Sequence, residues 1–168
     1  MIIKINGIRD PEMIPQLMEL NPLYLCFDFR RHVNDYIGEV DEAIYSKIPP
    51  KVRKTGIFEN DNPLYILSIA GRFTLSTIEL EGDESRLDCE ILAAEGVELI
   101  KTINNISQIE KYEGVCNKFI IRDPEILKVY RGNTLIINSI STFNTHSYGV
   151  EVMKNEVNVF KSQYIAKK

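Results

Sequence analysis

Five carboxylates, Asp28, Glu59, Glu79, Glu81 and Asp123, each stand in or just behind a short apolar run that reads as a β-strand. Gathered at strand ends, such groups can hold a divalent cation or divide the roles of general acid and general base. The plainer reading has most of them facing solvent or pairing with Lys and Arg at a rim, where an ion pair contributes little. Lys101, also at a strand end, has the amine that Schiff-base chemistry needs, although a structural ion pair is the simpler role. His32 and His146 read as surface or loop histidines rather than catalysts. The three cysteines, Cys26, Cys89 and Cys116, lie far apart in sequence and form no CxxC. They read as buried small hydrophobes, not as a disulfide framework or a zinc site.

The elements that must position these residues alternate in type along the chain. Ile2 to Asn6, Leu23 to Phe29, Val52 to Phe58, Thr74 to Leu80, Val97 to Ile103, Lys118 to Arg122 and Thr134 to Ser139 are short runs rich in Ile, Leu, Val, Phe or Thr. Most are continuously apolar rather than alternating, as strands covered on both faces are, which favours a parallel sheet under helices. Between them lie helix signals. Asp10-Pro11 and Asn62-Pro63 each place a capping side chain before Pro at the first helical position. Ser85 can cap Arg86 to Ala94 with Gly96 beyond, Ser107 starts a turn through Tyr112, and a last helix is expected from about Asn155 to Ala166.

Twenty Lys and Arg against 24 Asp and Glu give a net charge of −4. That is no electrostatic footprint for nucleic acid or an anionic membrane, and no apolar run approaches the roughly 20 residues that span a bilayer. The start, Met1 to Gly7, is too brief an apolar stretch for a secretory leader, so the chain is expected to be cytoplasmic. No repeat or linker marks a second domain, and residues 1–168 are read as one. Eight βα units would leave about 21 residues each, the minimum for a strand, a short helix and two loops, whereas a (β/α)8 barrel usually needs 200 or more.

Four blocks in order carry a resemblance. Lys4-Ile5-Asn6-Gly7-Ile8-Arg9 resembles K-x-C-G-[IM]-[TR]; Ile78-Glu79-Leu80-Glu81-Gly82-Asp83-Glu84 resembles V-Q-L-H-G-D-E; Leu99-Ile100-Lys101 resembles V-I-K; Ser147-Tyr148-Gly149-Val150-Glu151 resembles S-S-G-V-E. Together they are similar to the phosphoribosylanthranilate isomerase family of tryptophan biosynthesis. The resemblance implies an α/β fold, a contracted TIM-type (β/α) barrel, and leaves open whether it is complete near strands 6 to 8.

The family's Amadori rearrangement needs a general acid for the ribose ring oxygen, a base for the C2 proton and a cradle for the phosphate. The resemblance implies that Asn6 stands at the position of the cysteine base and Arg122 at that of the aspartate acid, with Asp123 one residue late. A carboxamide does not take a carbon-bound proton near neutrality, and a guanidinium is a poor proton donor. Arg30 or Arg31 can stand in for the arginine that meets the anthranilate carboxylate. Ser147 and Gly149 form half a phosphate cradle, and Glu79 and Glu81 make a neutral or cationic patch acidic. No cofactor and no metal are implied. The implied partner is a small phosphorylated sugar-amine, and a contracted barrel would leave faces that a second copy can cover. Three functions follow as expectations: an isomerase of weak or no activity, a non-catalytic binding protein on the same scaffold, or another small-molecule enzyme using the acidic rim.

Overall fold

A computed structural model describes residues 2–8, 11–38, 42–121, 126, 134–142 and 149–155. Seven of its strands are those the apolar runs predict: β1 (Ile2–Asn6), β2 (Tyr24–Asp28), β3 (Arg53–Phe58), β4 (Thr77–Leu80), β5 (Glu98–Ile103), β6 (Lys118–Ile121) and β7 (Thr134–Thr142). All residues of β2 and β4 are buried, which is what a continuous apolar run means physically: both faces of the sheet are covered. Helices α1 (Ile14–Met18), α2 (Pro63–Phe73), α3 (Arg86–Ala94) and α4 (Ser107–Tyr112) follow β1, β3, β4 and β5. Between β2 and β3 the described residues hold only a 3-10 turn, Glu42–Lys47.

The caps form where side-chain chemistry places them. Asn62 accepts a hydrogen bond from Leu64 N at 2.9 Å with Pro63 at the first position of α2. Ser85 and Asp88 make a reciprocal capping box on α3. The first helical segment begins as a 3-10 turn, Pro11–Met13, before α1; its expected cap, Asp10, lies outside the described residues.

β1 through β7 pair in sequence order and in parallel. An eighth strand, β8 (Gly149–Asn155), closes the ring by pairing antiparallel with both β7 and β1. This departs from the parallel sheet expected, and its reason is chain length. Only residues 143–148 separate β7 from β8, whereas a parallel crossover needs a dozen or more, so the chain can only turn back. The contraction anticipated near strands 6 to 8 therefore takes this form: the last βα unit is replaced by a returning strand. Asn155, where the last helix was expected to begin, is the end of β8; the remainder of that helix, 156–166, lies outside the described residues.

The inside and outside of the ring have different chemistry. A large apolar cluster, with Leu17, Ile66, Phe73, Leu92 and Tyr112 from the helical layer, packs against the outer face of the strands. A small one, Tyr24, Cys26, Ile57, Ile100 and Ile120, lies within. It shares the interior with an ion pair in which Lys4 Nζ lies 3.0 Å from Glu79 Oε2, both buried. Toward the amino ends of the strands, Glu98 gathers Lys118, Arg53 at 3.2 Å and the Thr77 hydroxyl at 3.1 Å, and Lys118 donates to the Tyr24 hydroxyl at 2.8 Å. That network fills the lower end and leaves the carboxyl ends as the open face.

Candidate active site

The carboxyl ends of β1 to β5 present Asn6, Asp28, Glu59, Glu81 and Thr102 around one mouth. Strand alternation explains why: a residue that points inward at the end of one strand has inward-pointing counterparts at the matched positions of its neighbours. Asn6 closes β1 and is paired with Gly149 across β8. Its side-chain oxygen is buried and accepts no hydrogen bond from the described residues.

Asp28 and Arg30 form a clamp. Arg30 Nε and Nη2 donate to the two carboxylate oxygens at 2.9 and 2.6 Å, and the Arg30 amide donates at 3.0 Å. The bond to Asp28 is the main reason the Arg30 guanidinium is held above its ordinary pKa, with Glu81 and Glu59 adding to it through charge. Bidentate pairing of this kind fixes the guanidinium plane as well as its charge. At the outer edge Glu59 meets His32 Nε2 at 2.9 Å and Arg30 at 3.9 Å, and His32 is 67% exposed, as a loop histidine should be. Glu81 accepts from the Thr102 hydroxyl at 3.0 Å.

The other acidic and basic residues singled out in the sequence divide between scaffold and rim. Glu79 belongs to the interior ion pair and not to the mouth. Lys101 is fully buried, donates to the carbonyls of Leu80, Gly82 and Thr102 at 3.1, 2.6 and 3.1 Å, and lies 3.2 Å from Glu84. This is the structural role expected of it. Glu84 accepts from the amides of Asn60 and Gly82, which ties the loops behind β3 and β4 together. Arg31 is exposed and borders two clefts of about 440 and 370 Å³, which meet at Phe29, Arg31 and Tyr65.

Of the residues the resemblance implied, the structure brings Asn6, Arg30 and Glu81 to the mouth and puts Gly149 beside Asn6. Arg122, Asp123, His146 and Ser147 lie outside the described residues. Sequence reasoning missed the Asp28–Arg30 clamp and the Thr102 hydroxyl. The clamp had a signal: an acid and a base two apart at the end of a strand, where the chain leaves the sheet and can fold back. Among the described residues no three His, Cys, Asp or Glu side chains converge as metal ligands, and no helix is long and apolar enough to cross a membrane.

A ring of strands, most of them parallel and flanked by helices, with polar side chains at the carboxyl ends, is the frame of a β/α-barrel. The solved phosphoribosylanthranilate isomerase of Thermotoga maritima has that frame, with a TM-score of 0.68 at 24% identity over 79% of this chain and 74% of its own. In sequence the chain is 29% identical over 152 residues to the N-(5'-phosphoribosyl)anthranilate isomerase of Phocaeicola vulgatus, which covers 80% of this chain and 72% of that protein. The same-named protein of Parabacteroides distasonis is 30% identical over 129 residues, 71% of this chain and 58% of its own length. No family model matches. The chain resembles the phosphoribosylanthranilate isomerases in sequence and shares their fold, and it spans only part of the length of these relatives.

Proposed function

We propose that this chain is a phosphoribosylanthranilate isomerase homologue that keeps the scaffold and catalyses the rearrangement weakly or not at all. The observation that carries this reading is Asn6. It occupies the end of β1, where the resemblance implies the base. Its buried amide can accept a hydrogen bond there but has no pKa that would let it take the C2 proton. Asp28, the carboxylate that ends the neighbouring strand β2, is occupied by Arg30 on both oxygens. Residues at the mouth can still orient a polar ligand. The Asn6 amide and the Thr102 hydroxyl offer both donors and acceptors, exposed Arg31 lines the clefts that meet at Phe29 and Tyr65, and a sugar-amine phosphate is the class of ligand this reading gives them.

The experiment is to mix the purified protein with freshly made N-(5'-phosphoribosyl)anthranilate and follow loss of substrate fluorescence against a blank. The expected trace is flat or nearly so in the wild type. The double substitution Asn6→Cys with Arg122→Asp should raise the rate, since a missing general acid or base is worth about 10²- to 10⁴-fold. Brisk wild-type turnover abolished by Asp123→Asn would replace this reading with an isomerase using a displaced acid. A flat trace from both proteins, together with unchanged binding of the substrate in equilibrium dialysis, would favour a non-catalytic binding protein on the same scaffold.

Self-association is part of the same proposal. Leu64 and Leu87, at the starts of α2 and α3, are 71% and 64% exposed, and a second copy would cover them. Sedimentation at micromolar concentration tests this, a monomer being the result against it.

A further inference from the structure

A β/α-barrel sets a helix after each strand, but between β2 and β3 the described residues hold only the 3-10 turn Glu42–Lys47. Helix α2 therefore has α3 on one flank and that short turn on the other. Between α2 and the segment leaving β2 lies the cleft of about 370 Å³. Its floor is apolar: Phe29 and Phe73 are both buried, with ring centroids 5.2 Å apart. The segment contributes Tyr36 and Arg31, and the helix contributes Tyr65 and Arg72. Both arginines are exposed, and the Arg72 guanidinium lies 5.2 Å from the centroid of the Phe73 ring.

The two sides are fixed by the fold. The Val33 amide donates to Arg30 O at 3.2 Å, the Tyr36 amide to Val33 O at 3.2 Å and the Ile37 amide to Asp28 O at 2.9 Å, which folds the segment back on the end of β2. The opposite side is the capped helix α2. Arg30 is held on Asp28 at the mouth, so Arg31 is the guanidinium that this segment gives to the cleft.

Charge and shape select the ligand. Among the described residues no carboxylate lines this cleft; Glu59 and Asp61 line the adjoining one. Two guanidiniums match the nearly two negative charges of a phosphomonoester better than the single charge of a carboxylate. Each has five N–H donors, so it can meet a phosphate oxygen while keeping its bonds to the protein. Aromatic side chains on the floor and both sides suit a flat ring, and the volume is at the small end of the range for ligand sites.

We propose that this cleft binds a nucleoside 5'-monophosphate, with the phosphate on Arg31 and Arg72 and the base against Tyr36 and Tyr65. The site is separate from the mouth, since none of Asn6, Glu81 and Thr102 lines it, and it stands whether or not the mouth catalyses an isomerisation.

The test titrates the purified protein calorimetrically with adenosine 5'-monophosphate and its guanosine, cytidine and uridine counterparts, then with the nucleosides and with inorganic phosphate. At least one nucleotide should bind, and its nucleoside and inorganic phosphate should each bind at least about tenfold more weakly. Raising the salt should weaken the nucleotide and leave the nucleoside unaffected. Arg31→Ala and Arg72→Ala should each keep the wild-type circular dichroism and weaken the nucleotide about 10- to 100-fold, while Thr102→Val, at the mouth, should leave its binding unchanged. The proposal is overturned by no binding of any of the four at millimolar concentration or by equal binding of nucleotide and nucleoside. Binding that survives both arginine substitutions, or that Thr102→Val abolishes, overturns it as well.

Discussion

The Tyr45 hydroxyl is buried against Phe27 and Phe73, with ring centroids 4.5 and 4.9 Å away, and finds no hydrogen-bond partner among the described residues. Burial alone drives its pKa far above the ordinary value. Burial is also the leading cause for Tyr24, raised, and for Tyr112, pushed up to about 12. The sign follows from linkage. Below about pH 10 these phenols are neutral in both states. Above it the unfolded chain loses their protons while the folded chain keeps them, so the unfolded state gains. Stability should therefore fall as pH rises from about 10 to about 12, seen as a falling urea midpoint. Tyr45→Phe should make that fall shallower. At neutral pH it should leave stability unchanged or raise it by up to about 1 kcal/mol, because an orphaned hydroxyl is removed; a clear loss would reveal a partner for it. Residue types also set the limit of what the sequence could say about the mouth. Asn6 was legible as a position without a base. The choice between Arg30 and Arg31 was not, because adjacent residues leaving a strand point apart, and only the place of Asp28 decides which one is captured.

At the scale of elements, two loops are held together by the Lys101–Glu84 pair and by Asn60. The Asn60 side chain accepts from the Asp83 amide at 2.7 Å and lies directly over Gly82, where a Cβ would collide with it. Gly82→Ala should displace Asn60, lose that bond and cost about 1 kcal/mol. In the background of Asn60→Ala, the same change should cost much less. Equal costs in both backgrounds, measured by urea unfolding, would locate the strain elsewhere. Ser85→Ala on α3 removes the half of the capping box that the Ser hydroxyl makes, the bond it accepts from the Asp88 amide, together with the bond it donates to the Asp88 carboxylate, keeps the bond from the residue 85 amide to Asp88, and should cost about 1 kcal/mol. Caps such as this were readable because they depend on residues three apart. The strand β8 was not, because Gly149-Val150-Glu151-Val152-Met153-Lys154-Asn155 takes its direction and partners from how few residues precede it.

For the molecule as a whole, ring closure decides whether a chain shorter than the usual barrel has exposed edges. An open sheet ending at β1 and β7 would offer two rows of unpaired backbone groups to other chains. In the closed ring β8 pairs with Ile2, Ile3, Lys4, Ile5 and Asn6 on one side and with β7 on the other, so a single returning strand takes the place of a whole βα unit. The same pairing holds Asn6 at the mouth, since Gly149 is its partner, and it keeps water from the Lys4–Glu79 pair, which would be much less favourable to bury at an open seam. Native-state amide exchange reads this directly. With the ring closed, the amides of β1 should exchange about as slowly as those of β4, a strand with neighbours on both sides in any arrangement. If β8 is not seated, β1 is an edge and alternate amides along it should exchange orders of magnitude faster than those of β4. In that case Asn6 would lose its partner strand as well, and the mouth of the barrel would be open on one side.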